Sequence, residues 1–178
     1  MRFLLVPALL APVSAYAADP KPARPAAQTA AGARDGGPKS IGTFEDWQAA
    51  THQEAGALVC YAFTRATASD PAPAGRGESL LTVTHRPGGR DTVALTAPAA
   101  YPAGSAVQVQ VDQTRLAFYT SARSAFAREG KAAVAAFEKG RSAVARPTGG
   151  RGATAPDTFS LRGFTAAYAA INKVCPPR

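Results

Sequence analysis

A chain of 178 residues, 46% of them hydrophobic, is long enough for one domain with a sizeable core plus a tail. Its formal net charge of +8 comes from 20 Lys+Arg against 12 Asp+Glu, scattered without a dense basic run. That balance fits weak attraction to anionic surfaces such as lipid head groups; the scatter of the basic residues, and the export signal that opens the chain, speak against nucleic acid as a partner.

The chain opens on "MRFLLVPALLAPVSAYAADP". Arg2 precedes an apolar run from Phe3 to Val13, and Ala15-Tyr16-Ala17 follows as a small-x-small cleavage site. This order reads as a secretory signal peptide over residues 1–17. The apolar run falls short of the roughly 20 residues a membrane helix needs, and no later stretch is apolar enough to act as a transmembrane segment. No cysteine follows the cleavage site, so no lipid anchor is expected. The expected location is the periplasm or the extracellular side of the outer envelope.

Residues 18–40, "ADPKPARPAAQTAAGARDGGPKS", hold no Leu, Ile, Val or aromatic side chain. They have little apolar surface to bury against the entropy of ordering and read as a disordered tether. The domain is expected to span residues 41–178, beginning at "IGTFEDW".

From there short runs alternate with turn signals, as in a β-rich domain. "GALVCYAFTR" (56–65) is a strand with Val59, Tyr61 and Phe63 on one side and Cys60 on the other. After the loop "ASDPAPAGRGES", "LLTVTHR" and "DTVALTA" flank Pro87-Gly88-Gly89-Arg90 as a hairpin. Leu81 and Val83 share one face of it, as do Val93 and Leu95. "AVQVQV" alternates strictly, with Val107, Val109 and Val111 inward. A turn at Asp112-Gln113-Thr114 leads to "RLAFYTS", where Leu116 and Phe118 share a face. "SAFAR" is one more short strand. "GKAAVAAFEKG" breaks the period of two: Ala133, Val134 and Phe137 fall on one helical face, with Gly140 at the C-cap position. "SAVARP" returns to extended chain before "TGGRGAT".

"DTFSL" is the last strand, with Phe159 and Leu161 on one side. Gly163 permits a sharp turn. Phe164, Ala167, Tyr168, Ile171 and Val174 then mark one face of a C-terminal helix, which Pro176 and Pro177 end. The fold class expected is mainly β: an antiparallel, sandwich-like domain with a short middle helix and a C-terminal helix packed on the sheet. An oxidising compartment and an even cysteine count predict a disulfide between Cys60 and Cys175.

Taken together, "FEDW", the central hairpins, "FYTSARSAFA", "EKGRSAVAR" and "DTFSLRGFTAAYAAI" resemble the invasion-associated locus B family. The resemblance covers most of residues 41–175, and "TFSLRGFTAAY" is its most specific element. It implies a small exported bacterial protein, of a kind known mainly from alphaproteobacteria, β-rich with a C-terminal helix. It also implies a link to host-cell invasion, with no defining enzymatic activity. Many members carry a cysteine pair in a central hairpin and a cysteine just after the early Trp. Here "FYTSARSAFAREG" and "WQAATHQ" have none.

No catalytic motif stands out. "REGKAA" lacks phosphate-loop spacing, "GGRG" (149–152) lacks the dinucleotide fingerprint, and G-x-S-x-G is absent. The two histidines, His52 and His85, read as surface residues at strand ends and are too few for a zinc site. Glu45-Asp46, Asp157 and Glu138 read as turn and capping carboxylates. Trp47, Tyr101, Tyr119 and Tyr168 read as core or edge anchors. No catalytic, cofactor or metal residues are therefore assigned. The leading expectation is a non-enzymatic exported protein that binds an envelope component or a host surface. An enzyme on cell-wall or carbohydrate material would need titratable groups converging around His52, His85 or Glu138. A small-ligand carrier would need an apolar cavity.

Overall fold

The computed structural model describes residues 37–69, 77–148 and 155–177. The expected signal peptide and the tether up to residue 36 lie outside them. The first strand, β1 (Lys39–Phe44), begins two residues earlier than the domain boundary read from composition. It pairs with β2 (Trp47–Glu54), Lys39 lying across from Thr51. The 13-residue β3 (Ala57–Ser69) follows, then the hairpin β4 (Leu80–Arg86) and β5 (Gly89–Thr96). Next come β6 (Ala106–Val111), β7 (Thr114–Ser121) and β8 (Ser124–Ala127). Helix α1 (Gly130–Lys139) leads to β9 (Ser142–Thr148), β10 (Asp157–Ser160) and helix α2 (Phe164–Val174).

The strand order closes on itself. It runs β3-β10-β9-β6-β7-β8-β5-β4, and β4 pairs back onto β3. The domain is thus a closed eight-strand antiparallel barrel with the β1–β2 ribbon added to β3, and not a sandwich. The length of β3 makes closure possible. Its first half pairs with β2 over Ala57–Phe63, and its far end pairs with β10 over Ala66–Ser69. The opposite edge pairs with β4 from Cys60 to Arg65. A sandwich and a barrel impose the same in–out alternation on each strand, so the period of two could not separate them.

The alternation itself is realised where it was read. Leu81, Val83, Val93, Leu95, Val107, Val109, Val111, Leu116, Phe118, Phe159 and Leu161 are all buried in one hydrophobic core. On β3 the inward face is Cys60, Ala62 and Thr64, while Tyr61 and Phe63 stack on the outer face, their ring centroids 5.9 Å apart. Both helices lie where the period of 3.6 placed them. Helix α1 buries Ala133, Val134 and Phe137 and packs on β5 and β7. Helix α2 buries Phe164, Ala167 and Ile171, packs on β1, β2 and β3, and touches α1.

Gly140 does cap α1, through its N–H to the Ala136 carbonyl, but its backbone is extended. Glycine is required there by space: a Cβ would stand 2.2 Å from Val111 Cγ1. Gly163 has the other reason. Its φ is +86°, and a Cβ would stand 1.9 Å from the Phe44 carbonyl oxygen. Gly163→Ala is therefore expected to cost more than about 2 kcal/mol, from the left-handed backbone and the clash together. Urea unfolding measures this, and a change under about 0.5 kcal/mol would mean the turn relaxes freely.

Around that glycine the two ends of the domain interlock. Trp47 is fully buried, and its Nε1–H donates to the Ser160 carbonyl at 3.0 Å. Its ring meets Phe164 edge-on at 4.8 Å. Ser160 donates to Asp46 Oδ2 at 2.7 Å, and Arg162 pairs with Glu45 at 2.8 Å. Glu45-Asp46 is thus a turn, as expected, and also the receiving half of a latch. The segments "FEDW" and "TFSLRGF" pack on each other as one unit.

Candidate functional site

Period-two alternation continues past the apolar residues of β4 and β5. Leu81 and Val83 point inward, so His85 does too; Val93 and Leu95 point inward, so Asp91 does too. His85 is 1% exposed, so it is not the surface residue that its place near a strand end implied. The hairpin brings His85 and Asp91 together at the end of the barrel where the last turns of α2 arrive.

The result is a closed polar network. The Asp91 backbone N–H donates to His85 Nδ1 at 3.2 Å. His85 Nε2 lies 3.1 Å from Asn172 Oδ1, so Nε2 carries the proton and donates it. Tyr168 donates its hydroxyl to Asp91 Oδ1 at 2.7 Å, and its ring meets His85 edge-on at 5.5 Å. Arg90 donates to Asn172 Oδ1 and, at 2.6 Å, to the Cys175 carbonyl. Cys175 is bonded to Cys60, their Cα atoms 6.1 Å apart, within the reach a disulfide requires. Cys60 is the register partner of His85 on β3, so the covalent tie and the polar network hold the same end of α2.

Burial sets the protonation. Desolvation, and then the Arg90 charge, push the His85 pKa below the ordinary 6.5, against the opposing pull of Asp91 and the hydrogen bond to Asn172. Burial first, then the bond to Asp91, raises the Tyr168 pKa to about 12. Both groups are therefore neutral near pH 7. A histidine with a lowered folded pKa takes up its proton more readily in the unfolded chain. Its stabilising contribution is complete above about pH 6.5 and is lost as pH falls through the folded-state pKa. The urea midpoint should be level from pH 7 to 8 and fall below about 6.5, and His85→Gln should flatten that fall. An unchanged slope in the variant would assign the acid sensitivity to other groups.

Beside the network opens a cleft of about 800 Å³, lined by residues that include Leu58, His85, Arg86, Pro87, Arg90, Val174, Cys175 and Pro176. Leu58 is 39% exposed and Val174 40%. Val174 was expected on the packed face of α2, but it lies on the last turn, where the disulfide holds the helix. A smaller cleft of about 400 Å³ adjoins, sharing Ala57, Arg86 and Pro87.

The other residues singled out in the sequence do not converge here. His52 is half-exposed on β2, edge-on to Tyr61 at 5.4 Å. It pairs in register with Val59, whereas His85 pairs with Cys60, so the two histidines face opposite sides of the sheet. Glu138 is exposed on α1. Asp157 is buried and accepts hydrogen bonds from Ser69 and Ser79. Tyr101 is half-buried against the core. Tyr119 is 46% exposed, stacked on Phe126 with Arg128 over its ring, and so is not a core anchor. Sequence reading missed Arg90, Asp91 and Asn172. The inward parity of β5 marks Asp91, and the i, i+4 step from Tyr168 marks Asn172.

Among the described residues no group of three His, Cys, Asp or Glu side chains is placed to hold a metal ion. No described helix is long and apolar enough to cross a membrane.

Comparison with known proteins bears on the whole domain. No curated protein matches the chain significantly. Among solved structures, the crystal structure of invasion associated protein B from Bartonella henselae is similar, with a TM-score of 0.57 at 17% identity. The match covers 77% of this chain and 97% of that one; at that identity the likeness bears on the fold alone. Residues 47–172 match the family described as "Invasion associated locus B (IalB) protein". The matched stretch opens on Trp47, the buried anchor of the latch, and closes on Asn172, which joins His85 to Arg90. The chain belongs to the invasion associated locus B family.

Proposed function

We propose that this chain is an exported protein of the periplasm or outer envelope that acts by binding an envelope component or a host surface, without catalysis. The cleft beside the disulfide is the binding site on this reading. The observation that carries it is a contrast within the cleft. Leu58 and Val174 both hold apolar surface open to solvent within one concave site, a common mark of binding sites. The polar groups behind them are bonded to one another: His85 uses both ring nitrogens, and Arg90 bonds Asn172 and Cys175. A general base needs a nitrogen free for substrate. The signal-like N-terminus supports export, and the family's name supports a role connected with invasion.

A second reading has one observation in its favour. Buried His85 and Asp91 and half-buried Tyr168 form a constellation in which the His85 and Tyr168 pKa values are shifted, the kind that catalytic sites use. Enzymatic action on cell-wall material would require His85 to exchange Asn172 for substrate.

The full chain, produced in an alphaproteobacterial host, should be recovered from the periplasmic or envelope fraction with Ala18 or Asp19 at its N-terminus. The mature protein should then bind washed envelopes or intact host cells saturably, and Val174→Asp in the cleft should weaken that binding. Intact Met1 in the exported fraction would overturn export. Non-saturable association would overturn the binding role, and turnover of cell-wall fragments lost in His85→Gln would favour the enzyme.

A further inference from the structure

We propose that the cleft between the β4–β5 hairpin and the end of α2 takes a single-chain anionic amphiphile, a long-chain fatty carboxylate. This rests on the reading of the cleft as the binding site and names the ligand class.

Three observations converge. Among the described residues, the exposed large hydrophobics are Leu58, Tyr119 and Val174, and two of the three line this one cleft. Pro87 and Pro176 extend the same carbon wall. A volume of about 800 Å³ lies within the roughly 300–1,000 Å³ of small-molecule sites. The cleft is therefore suited to a flexible hydrocarbon chain.

The charge is one-sided. Among the described residues Arg86 and Arg90 both line the cleft, and no carboxylate side chain does. Arg86 pairs with Glu54 at 2.7 Å on the neighbouring surface. Arg90 bonds the Asn172 amide oxygen and the Cys175 carbonyl. Those acceptors are neutral, so they orient the guanidinium without placing a carboxylate in hydrogen-bond contact with it. A guanidinium held in place beside apolar walls matches a carboxylate head on an alkyl chain, since its planar fork fits the two oxygens. With Arg86 already paired to Glu54 and Asp91 turned to Tyr168, the Arg90 guanidinium is the group left facing the cleft, and one such fork suits a monoanion.

The test uses the full mature protein with its disulfide intact. Isothermal titration with dodecanoate, kept below its micelle concentration, should give saturable binding of one molecule per chain. Dodecanol removes the charge and acetate removes the chain, and each should bind at least about tenfold more weakly. Leu58→Asp and Val174→Asp place a carboxylate in the wall and should each weaken dodecanoate about tenfold or more. Both positions are exposed enough to leave the fold standing, which thermal unfolding checks. Tyr119→Asp, the matching change at the exposed hydrophobic outside the cleft, should leave affinity unchanged. Equal binding of dodecanol and dodecanoate, no saturable binding of dodecanoate, or equal loss in Tyr119→Asp would each overturn the proposal. If dodecanoate fails while saturable binding to envelopes persists, the ligand class is wrong and the binding role stands. If both fail, the role falls with it.

Discussion

Phe164→Ala is expected to lower the unfolding free energy by about 3–5 kcal/mol, the usual cost of removing a fully buried phenylalanine. Phe164 is 0% exposed and opens α2 directly after the Gly163 turn. Its ring meets Trp47 edge-on at 4.8 Å and Phe137 edge-on at 5.5 Å, and stacks on Tyr168 at 5.7 Å. It thus joins the β1–β2 ribbon, α1 and its own helix. Truncation leaves a void among three aromatic rings carried by β2, α1 and α2, elements that are each packed on their neighbours, so collapse into it is limited. Val174→Ala on the same helix is the control: at 40% exposure it should cost under about 0.5 kcal/mol. Urea unfolding of both variants measures the difference. A loss under about 1 kcal/mol for Phe164→Ala would place the first turn of α2 outside the core.

This junction also explains what the family-like motifs do. In "FEDW" and "TFSLRGF" polar side chains engage each other, Ser160 with Asp46 and Arg162 with Glu45, yet these are the most recognisable parts of the chain. Trp47 bonds the Ser160 carbonyl, and Gly163 lies where any side chain would strike Phe44. Their residue types are therefore fixed by contact with each other. A motif of this kind reports the fold, and its presence says nothing about a reaction.

Local structure was legible because each element writes its own period. The strict "AVQVQV" could only be a half-buried strand, and the stripe from Phe164 to Ile171 could only face a core. Closure into a barrel was not legible, because it depends on β3 accepting β2 and β10 along one edge. Pairing partners leave no local trace when both edges look alike. The polar network was half legible. His85 continues the inward parity of Leu81 and Val83, but a histidine beside Arg86-Pro87 reads as the start of a turn. The parity was the stronger signal, since the strand does not end until Arg86. Asn172 had no signal as a partner of β4, because only the three-dimensional crossing of α2 brings it there.

Removal of the Cys60–Cys175 bond is expected to have the largest effect of any change outside the close-packed glycines. The two residues are 115 positions apart, and the chain-entropy relation gives about 4–5 kcal/mol for closing so long a loop in the unfolded state. That approaches the whole net stability of many domains, about 5–15 kcal/mol. The bond also has a local task. Cys60 lies in the core on β3, and Cys175 sits just past the last turn of α2. That turn exposes Val174 and buries little, so packing alone holds it weakly. Without the bond, the Arg90–Cys175 and His85–Asn172 contacts lose their anchor and the cleft loses one wall. The double variant Cys60→Ala, Cys175→Ala avoids leaving free thiols. Its urea midpoint should fall by an amount equivalent to about 4 kcal/mol, and dodecanoate binding should weaken with it. Non-reducing mass spectrometry of the protein recovered from the periplasmic or envelope fraction should find the peptides around Cys60 and Cys175 linked. Two free thiols in that fraction would overturn the assignment. A stability loss under about 1 kcal/mol would show that the unfolded chain is already compact enough to gain little from the tie.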